Sequence, residues 1–274
     1  MNANKVWLVF RKDWREIRRN RQVLTPILVI PILVSVLLPV VIVSIPNFSP
    51  STTFSSGNLA DFLTNLPPSI INEITGMTVQ QSTIYLLVLY FLAPIFLIVP
   101  IMASSVIASD SFAGEKERKT IEALLATPLT DAELFLGKIL VAFIPAIIIT
   151  FASFAIYSVV VDFLTVDMFN GLRLLPNQIW LTMIFGLSPA IALTSIGLTV
   201  TISAKVKGFR EAQQISVVLL APILGLVFAQ ISGALFLGEA VLYALIGVFV
   251  LVDVIVFYIG IKLFQREDIL SKPA

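Results

Sequence analysis

Apolar residues in this chain run in long blocks and do not alternate with polar ones. Continuous apolar stretches cover residues 23–45, 82–108, 139–161, 179–202, 215–236 and 240–264, and polar residues gather in the segments between them. Each block reaches the roughly 20 residues that a helix rising about 1.5 Å per residue needs to cross about 30 Å of hydrocarbon. Barrel strands would show as alternating segments of about ten residues, so the blocks predict helices. The expected fold is an all-α membrane protein with six transmembrane helices. Prolines at 26, 31, 39, 94, 100, 145, 189 and 222 predict bends in helices one to five.

Ahead of the first block the period changes to that of an amphipathic helix. Trp7, Phe10, Trp14 and Ile17 share one face, and Lys5, Lys12, Arg15 and Arg19 take the other. The expectation is an elbow helix within 1–22 that lies in the membrane interface, anchored by Trp7, Phe10, Trp14 and Arg15, ahead of a single six-helix domain over 23–274. Two readings stay open: a basic anchor that only sets topology, or a rigid elbow reaching a cytoplasmic partner. The basic region and the apolar run behind it are both too long for a cleaved signal peptide.

Composition agrees: 58% of the 274 residues are hydrophobic and 13% are charged. Seventeen of the 18 lysines and arginines fall on one side of the expected membrane, with Arg173 alone on the other. The positive-inside rule then places both termini in the cytoplasm of an integral protein of the cell membrane. Cysteine and histidine are absent. That removes disulfides, thiolate metal sites, the usual zinc sites and histidine-dependent catalysis, and no metal site is expected.

The segment between blocks two and three is the most specific. It reads Asp110-Ser111-Phe112-Ala113-Gly114-Glu115-Lys116-Glu117-Arg118-Lys119-Thr120-Ile121-Glu122-Ala123-Leu124-Leu125-Ala126-Thr127-Pro128-Leu129-Thr130. Good helix formers over 117–126 carry an apolar stripe at Ile121, Leu124 and Leu125, and Thr127-Pro128 stops that helix. Thr130 and Glu133 have the spacing of a capping box that opens the third span. No G-x-x-x-x-G-K-[ST] stretch exists; Leu136-Gly137-Lys138-Ile139 lacks the loop glycine and the hydroxyl residue. The chain therefore carries no ATP-hydrolysing loop of that kind.

This run, from Ser109 to Leu140, resembles the signature loop of ABC-2 type permeases, the membrane subunits of many ABC exporters. The resemblance implies six helices behind an interfacial elbow, and a coupling helix between helices two and three that docks on a separate ATPase. Gly114, Glu115, Glu117, Arg118, Thr120, Glu122, Leu124, Leu125, Pro128 and Gly137 coincide with the family pattern. Of these, Gly114 and Pro128 are expected to shape the turn, and Glu115, Glu117 and Arg118 to contact the ATPase. The resemblance further implies two ATPase subunits binding ATP and Mg, a second permease copy or homologous permease, no cofactor and no catalytic residue on this chain, and no nucleic acid.

Two intramembrane features complete the reading. Ala221, Gly225, Ala229 and Gly233 form a small-residue stripe on helix five, suited either to packing within the subunit or to a subunit interface or pathway wall. Asp253 is the one acidic residue deep in a span, expected to be neutral and hydrogen-bonded, or to face a wet cavity. The sparse charge of the spans favours amphipathic or lipid-like cargo. The alternatives to an ATP-driven exporter are a membrane scaffold that anchors an ATPase, and a secondary transporter or channel. The latter would place coupling carboxylates in several spans and show an internal repeat, and the sequence shows neither.

Overall fold

The computed structural model describes residues 2–48, 66–120, 129–203, 206, 208–232 and 234–263, and among them every regular element is helical. Helix α1 (Ala3–Ile17) leads into α2 (Arg21–Ser44). A short helix, α3 (Pro68–Ile74), precedes α4 (Val79–Glu117). The chain continues through α5 (Asp131–Thr165), α6 (Gln178–Ser203), α7 (Phe209–Ile231) and α8 (Glu239–Leu263). Helices α2 and α4–α8 are long and apolar enough to cross a membrane, which gives six spans.

Local chemistry sets the helix starts. Asn2, Asn20 and Asn177 accept backbone N–H bonds at the heads of α1, α2 and α6, and Thr78 with Gln81 makes a capping box at α4. Thr130 and Glu133 form the capping box their spacing predicts, with Thr130 Oγ1 accepting from the Glu133 N–H at 3.2 Å.

Two spans exceed their apolar blocks. At 39 residues, α4 is about 58 Å long, far more than the bilayer core requires. The apolar block marks only its lipid-embedded part, and the helix continues through Asp110–Glu117. The helix expected over 117–126 does not begin at Glu117, because Glu115–Glu117 is the last turn of α4. Lys119 takes a left-handed φ of 56°, and the Thr120 N–H bonds back to the Glu115 carbonyl at 3.0 Å, which closes the helix end. Residues 121–128 lie outside the described residues.

Proline explains most of the irregular turns. Pro39, Pro94 and Pro189 each follow a π-turn, at Leu33–Leu37, Leu87–Phe91 and Met183–Leu187, that contains the residue four positions before the proline. A proline ring clashes with that carbonyl and offers it no N–H, so the ladder widens there. Pro222 instead follows a tighter 3₁₀ turn, Val217–Leu220, and stands in the first turn of the α-helical stretch behind it. Pro26, Pro31 and Pro145, by contrast, sit inside continuous helix.

Helices α4 and α6 form the buried centre, and α2, α7 and α8 turn most of their apolar surface outward. Gly197 brings α6 close to α8, since a Cβ there would stand 2.4 Å from Val256 Cγ1. The aromatic heart of the core is Trp180, stacked on Tyr157 with centroids 4.7 Å apart and met edge-on by Phe96. Its polar atoms repair the π-turn in α4. Tyr157 Oη donates to the Val88 carbonyl at 2.7 Å and Trp180 Nε1 to the Leu89 carbonyl at 2.9 Å.

Candidate functional site

One π-turn has no proline to explain it. It spans Asp110–Gly114, near the end of α4, where every residue is buried. Lys138, from the first part of α5, inserts here. Its ammonium donates to the Ser111 carbonyl at 2.5 Å and to Glu115 Oε2 at 2.5 Å, with Asp13 Oδ2 at 3.4 Å and the Phe112 ring 5.2 Å beneath. A cation entering the ladder supplies the partner that the widened turn requires.

The neighbours of Lys138 build a junction of ionised groups between helices. Lys138 is fully buried, and Glu115, Asp13 and Asp110 retain 1%, 2% and 2% exposure. Lys12 of α1 pairs with Glu115, with Asp13 at 3.1 Å and with Glu16 at 3.4 Å. Burial opposes the Lys12 charge, but Asp13, Glu115 and Glu16 outweigh it and hold the ammonium above the usual lysine range. Arg118 Nη1 meets Asp110 Oδ1 at 3.0 Å, and Asn20, the cap of α2, donates to the same oxygen at 3.1 Å. Gly114 makes that arrangement possible, since a Cβ there would fall 2.8 Å from the Asp110 carboxylate and 3.1 Å from Arg118 Nη1.

A second arm reaches α7. Glu117 Oε2 accepts from the Phe209 N–H at 2.9 Å, a carboxylate cap on the α7 N-terminus, and Lys116 Nζ donates to the Val206 carbonyl at 3.1 Å. A Cβ on Gly208 would lie 2.6 Å from the Glu117 carboxylate, so a side chain there would displace this cap. The end of α4 is thus tied to α1, α2, α5 and α7.

Helix α1 docks against the spans through Val6, Val9, Phe10, Asp13 and Ile17. Gly137 permits the approach to α5, where a Cβ would stand 2.7 Å from that of Val9. Of the expected interfacial anchors, Trp7 and Arg15 are exposed, Trp14 is half-buried and Phe10 is buried. The aromatic face foreseen for the membrane is divided: Phe10 and Ile17 enter the protein, and Trp7 stacks on Phe10 at 4.7 Å from outside. Pairing Lys12 and Asp13 with buried charge sets the helix rotation.

Of the residues expected to meet an ATPase, Gly114 and Glu115 are buried, and Glu117 and Arg118 hold intrachain partners. Thr120 Oγ1 donates to the Glu115 carbonyl at 3.3 Å. Glu122, Leu124 and Leu125 lie outside the described residues, as does Gly233. Ala221 and Gly225 are exposed and Ala229 is half-buried. A Cβ on Gly225 would meet nothing within 4 Å, so this part of the stripe does not pack within the subunit. Asp253 accepts from Thr194 Oγ1 at 2.5 Å, between α8 and α6.

Sequence reasoning missed the centre of the junction: Lys138, Lys12, Asp13 and Asp110. The available signal was Lys138 itself, a cation between Phe135 and Ile139 with apolar sequence on both sides. Such a position demands a buried carboxylate partner.

Six helices long and apolar enough to cross a membrane make this an integral membrane protein. A family model described as "ABC-2 family transporter protein" matches residues 7–244, and the chain belongs to that family: it is the permease of an ABC-type transporter. No curated protein matches the chain.

Proposed function

We propose that this chain is the permease subunit of an ATP-driven exporter in the plasma membrane, with its basic end and both termini in the cytoplasm. Two ATPase subunits bind ATP and Mg, and a second permease copy completes the pathway. The observation that carries this reading is the anchoring of segment 121–128. On its N-terminal side, Thr120 bonds twice to the Glu115 carbonyl. On its C-terminal side, Glu133 closes the Thr130 capping box and also accepts from the Asn2 N–H at 2.7 Å.

Both anchors belong to the block that joins α1, α4, α5 and α7. A displacement of 121–128 by an ATPase is thereby delivered to several spans at once. In this reading Glu122, Leu124 and Leu125 touch the ATPase. Gly114, Glu115, Glu117, Arg118 and Thr120 position that contact from behind.

The test combines Glu122→Lys with Leu124→Ala and Leu125→Ala in the tagged chain and measures co-purification of an ATP-binding subunit at equal permease abundance. Association falls by about ten-fold or more, as expected for loss of central contacts, and membrane insertion is unchanged. Undiminished association would remove the docking role of the segment. Association without ATP-dependent transport would leave a scaffold.

A further inference from the structure

The end of the bundle opposite the charged junction is covered by α3. Leu66, Ile70 and Ile74 are buried in the same core cluster as Phe96 and Trp180, so this short element is packed into the bundle. Among the described residues, its polar fastening is concentrated in Glu73. The carboxylate accepts from Tyr85 Oη at 3.0 Å and from Tyr90 Oη at 2.8 Å. Both tyrosines lie inside α4, past its start at Val79, so α3 folds back along α4.

The turn between the two helices is made by Gly76, with φ of 89° and nothing within 4 Å of the place a Cβ would occupy. On its far side α4 is fixed independently: Thr78 and Gln81 cap it, and Gln81 Nε2 donates to the Met168 carbonyl at 2.7 Å in the α5–α6 connection. A rigid helix, an open glycine turn and a short helix fastened by its buried apolar face and the Glu73 carboxylate make a hinged element on a fixed frame.

We propose that α3 is a lid over the outer mouth of the transport pathway, held shut by the Glu73 carboxylate between the Tyr85 and Tyr90 hydroxyls and swinging about Gly76. The inference rests on the exporter reading and on the orientation given above. Hydrogen bonds from neutral phenols to a carboxylate are strong enough to hold a short helix, and water replaces them without chemical change when the lid lifts.

The test uses the full chain in intact cells, where the absence of native cysteine makes introduced ones unambiguous. Ile70→Cys places a thiol under the lid and Ile71→Cys places one on its exposed side. Leu172→Cys reports an exposed site on the α5–α6 connection. A membrane-impermeant maleimide should label Ile71→Cys and Leu172→Cys readily and Ile70→Cys slowly.

Adding Glu73→Ala should speed labelling of Ile70→Cys by about ten-fold or more and leave Leu172→Cys unchanged, the effect of removing hydrogen bonds to a charged group. Tyr90→Phe, which deletes one oxygen, should act in the same direction and carries the comparison if Glu73→Ala does not accumulate. Depleting cellular ATP should slow labelling of Ile70→Cys in the otherwise native chain, because a cycling transporter no longer lifts the lid.

Equal labelling of Ile70→Cys and Ile71→Cys, or an Ile70→Cys rate indifferent to Tyr90→Phe, overturns the lid. So does protection of both Ile71→Cys and Leu172→Cys, which would reverse the orientation. A rate indifferent to ATP in a chain that co-purifies an ATPase overturns the lid alone. Failure to co-purify any ATPase overturns the reading beneath it and leaves the Glu73 comparison intact.

Discussion

A single ammonium group holds the junction together. Lys138 contacts Asp13 and Glu115 where neither carboxylate reaches water, and the desolvation cost of all three is offset only while they remain paired. Lys138→Met leaves Asp13 and Glu115 sharing Lys12, and should destabilise the purified chain by about 3–5 kcal/mol, the usual cost of stranding buried charge. Lys138→Arg should recover part of this loss. Lys138→Met with Glu115→Gln should recover more, because Asp13 keeps Lys12. Thermal unfolding in detergent provides the comparison, and a Lys138→Met chain as stable as the parent would contradict the assignment. The same group shows why the junction was illegible in sequence. Its partners lie 23 and 125 residues away, and no local pattern links them. The Thr130–Glu133 box, three residues apart, was legible because its chemistry is local.

Among the elements, the interrupted helices follow a rule that pairs each widened turn with a donor or a proline. Tyr157 and Trp180 satisfy the α4 carbonyls ahead of Pro94, and Lys138 satisfies the turn that has no proline. Tyr157→Phe should therefore cost about 1–3 kcal/mol by orphaning a buried carbonyl. Tyr243→Phe, at an exposed position on α8, should cost nothing measurable in the same thermal assay. Equal stability of the two variants would count against this account of the turns.

Helix α7 makes the opposite point, since Ala221 and Gly225 face outward. A Cβ at Gly225 meets nothing within 4 Å, so Gly225→Leu should leave monomer stability unchanged and reduce crosslinking between two permease copies. Unaltered crosslinking would assign that stripe to lipid. The spans themselves were legible as apolar blocks. The start of α5 at Asp131 was legible too, through the Thr130–Glu133 box, but the true end of α4 was not, because polar residues extend it past its apolar block, and neither was the left-handed turn at Lys119, which falls inside the helix foreseen over 117–126.

For the whole molecule, the two ends of the bundle differ in kind. One end joins α1, α2, α4, α5 and α7 through buried ion pairs and caps, and the other is closed by apolar packing and by hydrogen bonds to Glu73, Asp162 and the Met168 carbonyl. That division suits a machine that receives force at the charged end and opens at the other. The proposal stands on whether segment 121–128 meets an ATPase. The most direct measurement is photo-crosslinking in native membranes, with benzoylphenylalanine placed at position 122, 124 or 125 and, as a control, at position 172 on the α5–α6 connection. The account predicts an adduct with an ATP-binding subunit from the segment positions and none from 172. Adducts with no ATP-binding subunit from any of the three, or equal yield from 172, would contradict it.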